Sequence, residues 1–184
     1  MTAALKEWSA AVHALLDGRQ RILLRKGGIH EKRFDVAAEE FLLFPTVAHS
    51  HAERMRPEHR DLLAPSAADS TETEIVVRAA AKVDAAIEVQ RPDQLGDIED
   101  LHIWTAESVR TDRLDFRPKH RLTVLVVTTW ALIEPLRLPR LSDYAGCKSW
   151  VDLALAEDDV KLAEPVHDSI SGAEIAERVR SSVG

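Results

Sequence analysis

The sequence predicts an α+β fold, a strongly twisted and partly closed β-sheet packed by an N-terminal helix and peripheral helices. Three observations carry that expectation. A helical apolar spacing opens the chain, a period-two signal (apolar at eight of eight odd positions against three of nine even ones) runs over residues 74–90, and a second long apolar alternation occupies residues 121–133.

Leu5, Trp8, Val12, Leu15 and Leu16 recur at helical spacing and Gly18 follows as a C-terminal cap, which predicts an amphipathic helix over residues 2–17. Gln20 to Lys26 (QRILLRK) reads as a short buried strand closed by Gly27-Gly28, and Glu40 to Pro45 (EFLLFP) as a second strand. Ser50 with Glu53 resembles a capping box, and Pro57 restarts a helix that runs to Leu63. Residues 64–73 (APSAADSTET) form a small-residue, polar loop.

In the next segment every odd position from Ile75 to Val89 is apolar, whereas the even positions include Glu74, Arg78, Lys82, Asp84, Glu88 and Gln90. A helix would scatter those charges around its circumference, so the segment reads as a strand. At ~3.3 Å per residue it exceeds the width of a small domain and must coil or break, as strands of half-closed barrels do. Pro92 ends it. Leu95, Ile98 and Leu101 give short helical turns, and Thr105 caps a helix through Arg113. Leu122, Val124, Val126, Trp130 and Leu132 form one face of the second long strand, which ends before Pro135 and Pro139. Cys147 to Leu155 (CKSWVDLAL) is expected as a short helix, and Ser171 with Glu174 marks a last helix to about Val179. Residues 1–160 are expected as a single α+β domain and residues 161–184 as a helical appendage.

Composition narrows the function classes. With 45% hydrophobic and 30% charged residues, the 184-residue chain is ordinary for a globular domain rather than a disordered one. A single cysteine, Cys147, makes no internal disulfide, and no stretch approaches the roughly 18 apolar residues of a membrane span. The N-terminus lacks a basic patch followed by an apolar core, so a cytoplasmic location without membrane contact is expected. The net charge of −7 is unevenly placed: residues 1–60 hold ten Lys/Arg against eight Asp/Glu, and the acid surplus lies beyond them. Such a chain is a poor general binder of phosphate backbones, so contact with DNA or RNA would run through a local basic rim in the N-terminal third.

Four constellations bear on chemistry. Arg25-Lys26-Gly27-Gly28 joins two cations to two glycines whose amides can turn toward an oxyanion, although solvated cations beside a glycine turn have the same sequence. His49-x-His51, with His59, His102 or His120, could ligate a metal, but the isolated cysteine and the charged surroundings argue for a wet surface, and no metal or cofactor is expected. His102 stands between Leu101 and Ile103 and beside Trp104, in an apolar setting. Asp84 with Glu88-x-Gln90 is the nearest approach to a metal-dependent nuclease of the PD-(D/E)XK type; glutamine there lacks the ammonium charge that orients water. Trp8, Trp104, Trp130 and Trp150 each lie in apolar periodic contexts, and Trp104 is the one placed to serve as a stacking platform beside a pocket.

The blocks Trp8–Gly28 (WSAAVHALLDGRQRILLRKGG), Phe41–Thr46 (FLLFPT), His102–Thr105 (HIWT) and Tyr144–Trp150 (YAGCKSW) resemble, in order and over residues 5–155, the bacterial family called domain of unknown function 1802. That resemblance implies no established activity, and an association of some members with a restriction endonuclease, hence a role in restriction–modification or DNA defence. A second resemblance is to PUA-like and ASCH domains, small pseudo-barrels that bind RNA or modified nucleotides. Gly18, Gln20 and Arg25 fall where those domains place a glycine, a lysine and an arginine, while Gln20 and Leu23 depart from their usual lysine and glutamate.

The resulting expectation is a nucleic-acid-binding or nucleotide-sensing module, non-catalytic by itself. Arg25, Lys26, Gly27 and Gly28 would contact phosphate, with Gln20 alongside; His102 and Trp104 would line the recognition pocket. A restriction endonuclease or methylase is the expected partner. The alternatives are a metal-dependent nuclease using Asp84 and Glu88, and a protein–protein adaptor.

Overall fold

The structure is a computed structural model and describes residues 2–27, 33–47, 51–116, 118–146, 148–156 and 159–184, with the side chains of His51 and Ser169 excepted. Strands β1 (Thr2–Trp8), β2 (Ile22–Lys26), β3 (Glu40–Thr46), β4 (Glu74–Glu88), β5 (Leu122–Pro139), β6 (Trp150–Leu153) and β7 (Leu162–Pro165) form one mixed sheet. Its order is β2-β5-β4-β3-β1-β6, with β7 on the far half of β5. The α+β class is as expected; the sheet is open, because its end strands β2 and β6 do not pair with each other.

The period-two stripe of β4 serves three apolar clusters rather than one face. Register shifts fall between Val77 and Ala79 and between Val83 and Ala85. Each shift reverses the side to which odd residues point. Ile75 and Val77 therefore join Leu42, Phe44, Leu132 and Leu153; Ala79 and Ala81 join Leu5, Leu23, Phe41 and Leu125; Ile87 joins Ile22, Val124 and Val126. The bulges let one long strand bend through the molecule, which is how its length is accommodated. Opposite the first bulge, residues 132–135 of β5 leave the register with β4, so Pro135 sits where no ladder hydrogen bond is needed. For that reason β5 continues to Pro139 instead of ending before Pro135.

The chain start differs from the expected helix over residues 2–17. Thr2–Trp8 is a strand lying between β3 (parallel) and β6 (antiparallel), and the helix α1 is confined to Ser9–Leu16. Ala4 and Leu5 are both fully buried on opposite faces, the condition of a strand covered on both sides, and strand pairing outweighs the helical spacing of Leu5 and Trp8. Gly18 does end α1, at φ 72°, in a left-handed conformation that a side chain would strain. The segment expected as a helix from Cys147 is the edge strand β6, because Val151 and Leu153 alternate inward and pair with β1; Cys147 lies outside the described residues.

Helices α2 (His51–Arg54), α3 (Leu63–Ala67) and α4 (Ala106–Val109) are short; α3 occupies part of the stretch expected as loop. Thr105 caps α4 by accepting from the Ser108 N–H at 3.1 Å, and the chain continues as a π-helical turn over Arg110–Asp115. The last helix, α5 (Ser169–Val183), is capped by Asp168 rather than Ser171: its carboxylate accepts from the Ser171 N–H at 2.8 Å. Residues 161–184, expected as an appendage, supply β7 to the sheet and bury Ala176, Val179 and Val183 against Ile87 and Ile98. No helix among the described residues is long and apolar enough to cross a membrane.

Candidate functional site

β1 ends at Trp8, and the Trp8 ring meets Trp104 edge to face, with centroids 4.9 Å apart and planes at 85°. Trp104 is fixed by a strand-like clamp: Arg56 N–H donates to Ile103 O and Thr105 N–H to Arg54 O, both at 2.9 Å. The same clamp places Arg54. Its guanidinium lies 5.8 Å from the Trp8 ring centroid, and its Nε donates to Asp112 on the π-helical turn at 2.5 Å.

Behind this pair Trp8, Trp104, Val109 and Arg113 wall a recess of about 10 Å³, room for one water-sized group. Arg54, Ser108 and Asp112 form its mouth and also border an outer cleft of about 370 Å³, whose other walls are Glu53, Thr105, Glu107 and Thr111. A volume of that order accommodates a nucleoside-sized molecule.

Charge in the recess does not balance internally. Glu7, 4% exposed, accepts from Arg25 at 3.1 Å and from the Trp8 N–H at 2.8 Å. Arg54 is matched by Asp112. Arg113 has no hydrogen bond or ion pair among the described residues. Burial pushes its guanidinium below the ordinary arginine value; Glu7 opposes that effect and Arg25 adds to it. A half-buried, hydrogen-bond-poor cation lining a recess is the group that an incoming oxyanion would satisfy.

The residues expected from sequence are distributed around this recess unevenly. Arg25 reaches its edge through Glu7, donates also to Lys6 O at 3.0 Å and lies 5.2 Å from the Phe34 ring. Lys26 donates to the carbonyls of Leu114 and Phe116, holding the end of the segment that carries Arg113. Gly27 is buried, and Gly28 lies outside the described residues. Gln20 is 1% exposed and internal: its amide donates to Ile22 O at 2.9 Å and accepts from Ile103 N–H at 3.4 Å, which ties β2 to the Trp104 segment.

Trp104 lines the recess, but His102 does not; it faces a separate cavity across α4. Its Nδ1 accepts from the Trp104 N–H at 3.2 Å, and burial holds its pKa down at about 4, so the ring is neutral near pH 7.

The nuclease carboxylates are engaged elsewhere. Asp84 accepts from the Thr128 hydroxyl at 2.8 Å, and Glu88 pairs with Arg121. Of the histidines, His59 faces Arg56 at 3.0 Å, and His49 and the His51 side chain lie outside the described residues. No group of three or more His, Cys, Asp or Glu among the described residues is arranged to hold a metal ion. Arg113, Arg54 and Asp112 are the site residues that sequence reading missed. In sequence they are unremarkable charges on a helical segment, and only the pairing of residues 54–56 with 103–105 brings them to Trp8.

A model of the family described as domain of unknown function (DUF1802) matches residues 4–178. No curated protein matches the chain. Among solved structures, the ASCH protein from Zymomonas mobilis is 11% identical with a TM-score of 0.46, covering 99% of this chain and 95% of that one. Two point mutants of it are similar at 14% identity and TM-score 0.45 (82% and 88% covered) and at 13% and 0.41 (68% and 66% covered).

Proposed function

The chain belongs to the DUF1802 family over most of its length, and we propose that this protein is a nucleotide-binding module that takes a single phosphorylated nucleotide unit, free or as an unpaired residue of DNA or RNA. The observation that carries this reading is Arg113, a half-buried guanidinium with no hydrogen bond or ion pair among the described residues, lining the recess with the Trp8–Trp104 pair. One phosphate oxygen fits the recess, and the charge-assisted hydrogen bond replaces the solvation that Arg113 has lost. The outer cleft suits the rest of the nucleotide. Glu53 and Glu107 accept hydrogen bonds from ribose hydroxyls or exocyclic amines, while their charge disfavours a second phosphate.

The module binds without cleaving: the carboxylates with nuclease spacing, Asp84 and Glu88, hold Thr128 and Arg121. From the family resemblance alone, the proposal includes a restriction endonuclease or methylase as partner.

Equilibrium titration at low salt with nucleoside 5′-monophosphates, unpaired oligonucleotides and duplex tests the reading. Monophosphates and unpaired strands should bind and duplex should not. Arg113→Met should weaken binding about tenfold or more, as expected for a lost charge-assisted bond, without unfolding the protein. Absence of binding by every nucleotide at low salt would sink it.

A further inference from the structure

The cavity on the other side of α4 is a second site with opposite chemistry. It measures about 490 Å³ and shares only Val109 with the recess. Leu95, Val109 and Leu114 supply apolar wall. His102, 2% exposed, lines it with one ring nitrogen committed: Nδ1 accepts from the Trp104 N–H. The ring proton of a neutral imidazole therefore resides on Nε2, a donor with no acceptor among the described residues. Asp93, Glu99 and Asp115 stand at the border with Arg110, whose guanidinium lies 3.8 Å from Asp115. Asp93 and Glu99 are exposed, so the border keeps an excess of negative charge.

We propose that this cavity binds an organic ammonium compound with an apolar body and a carbonyl acceptor. The ammonium would meet Asp93 and Glu99, the apolar body would rest on Leu95, Val109 and Leu114, and the carbonyl would accept from His102 Nε2–H. Anionic ligands are disfavoured by the border, which separates this site from the Arg113 recess.

Three related probes each remove one feature. Phenylalaninamide carries all three groups, N-acetylphenylalaninamide lacks the cation, and phenylalanine replaces the amide by a carboxylate. Calorimetric titration should detect phenylalaninamide and neither of the others. Asp93→Asn combined with Glu99→Gln should weaken it about fivefold, as expected for partly exposed charge pairs, and His102→Leu should weaken it further. Arg113→Met should leave it unchanged, so this outcome is independent of nucleotide binding. If His102→Leu does not fold, the border double variant decides. Equal binding of the acetylated probe, no binding of phenylalaninamide up to its solubility, or no effect of the border variant would overturn the proposal.

Discussion

The Asp84 carboxylate presses against the backbone of Gly172 in the first turns of α5: a Cβ built on Gly172 would stand 2.5 Å from Asp84 Oδ2. Asp84 cannot simply swing away, because that oxygen accepts from the Thr128 hydroxyl at 2.8 Å. Gly172→Ala removes a helix penalty of about 1 kcal/mol, yet it should introduce overpacking of about 1–3 kcal/mol. The expected net result is a less stable protein by denaturant titration. In an Asp84→Ala background the same change should stabilise, since the obstruction is gone.

Asp69 is a second buried anchor. It is fully buried and accepts from Ser9 at 2.6 Å, His13 at 2.7 Å and Arg78 at 2.6 Å, joining α1 to the first bulge of β4. Burial raises its pKa, but the hydrogen bonds from His13, Ser9 and Arg78 outweigh that and leave it lowered. Asp69→Ala leaves Arg78 without its carboxylate and removes the acceptor of Ser9 and His13, and should cost about 3 kcal/mol in urea denaturation. A loss below 1 kcal/mol would show the cluster to be incidental.

His102 gives the protein a pH dependence of known sign. Burial, with Arg56 adding, lowers its folded pKa from 6.5 to about 4. Between those values the unfolded chain binds a proton that the folded one refuses, so stability falls as pH drops and the loss levels off below about 4. The full shift corresponds to about 3 kcal/mol. His59 and His167, also lowered chiefly by burial, act in the same direction. Denaturation midpoints of wild type and His102→Gln at pH 7 and pH 4.5 should differ in slope, the variant losing less. Parallel losses would place the effect elsewhere.

Much of this architecture was legible in the residues. The apolar odd positions from Ile75 to Val89 mark β4 because an extended chain repeats every two residues, although two bulges turn them toward three different clusters, and the Thr105 cap is set by local chemistry. The β1 strand was hidden, since Leu5 and Trp8 match a helical spacing by coincidence and only pairing with β3 and β6 makes them extended. Trp150 and Val151 were misread for the same reason: a four-residue edge strand is defined by its neighbour. At the site, Trp104 and Arg25 stood out by their context, whereas Arg113 belongs to the recess only because the fold brings Trp8, some hundred positions earlier, to the same wall.

Salt separates a one-phosphate site from a backbone-tracking surface. Each released phosphate contact contributes a slope of about −0.7 to −0.9 in log K against log salt. Binding of an unpaired oligonucleotide should therefore show a slope near −1, and a slope several times steeper would mean that a basic rim, not the Arg113 recess, carries the affinity.

The central assertion is that ligand enters beside Trp8 and Trp104. Two of the four tryptophans line the recess, and Trp130 and Trp150 stand outside it as internal controls. A nitrogen–proton correlation spectrum of the indole groups, recorded during titration with a nucleoside monophosphate, reads this directly. The Trp8 and Trp104 signals should move together in wild type and stay fixed in Arg113→Met. Shifts confined to Trp130 or Trp150, or identical shifts in the variant, would contradict the account.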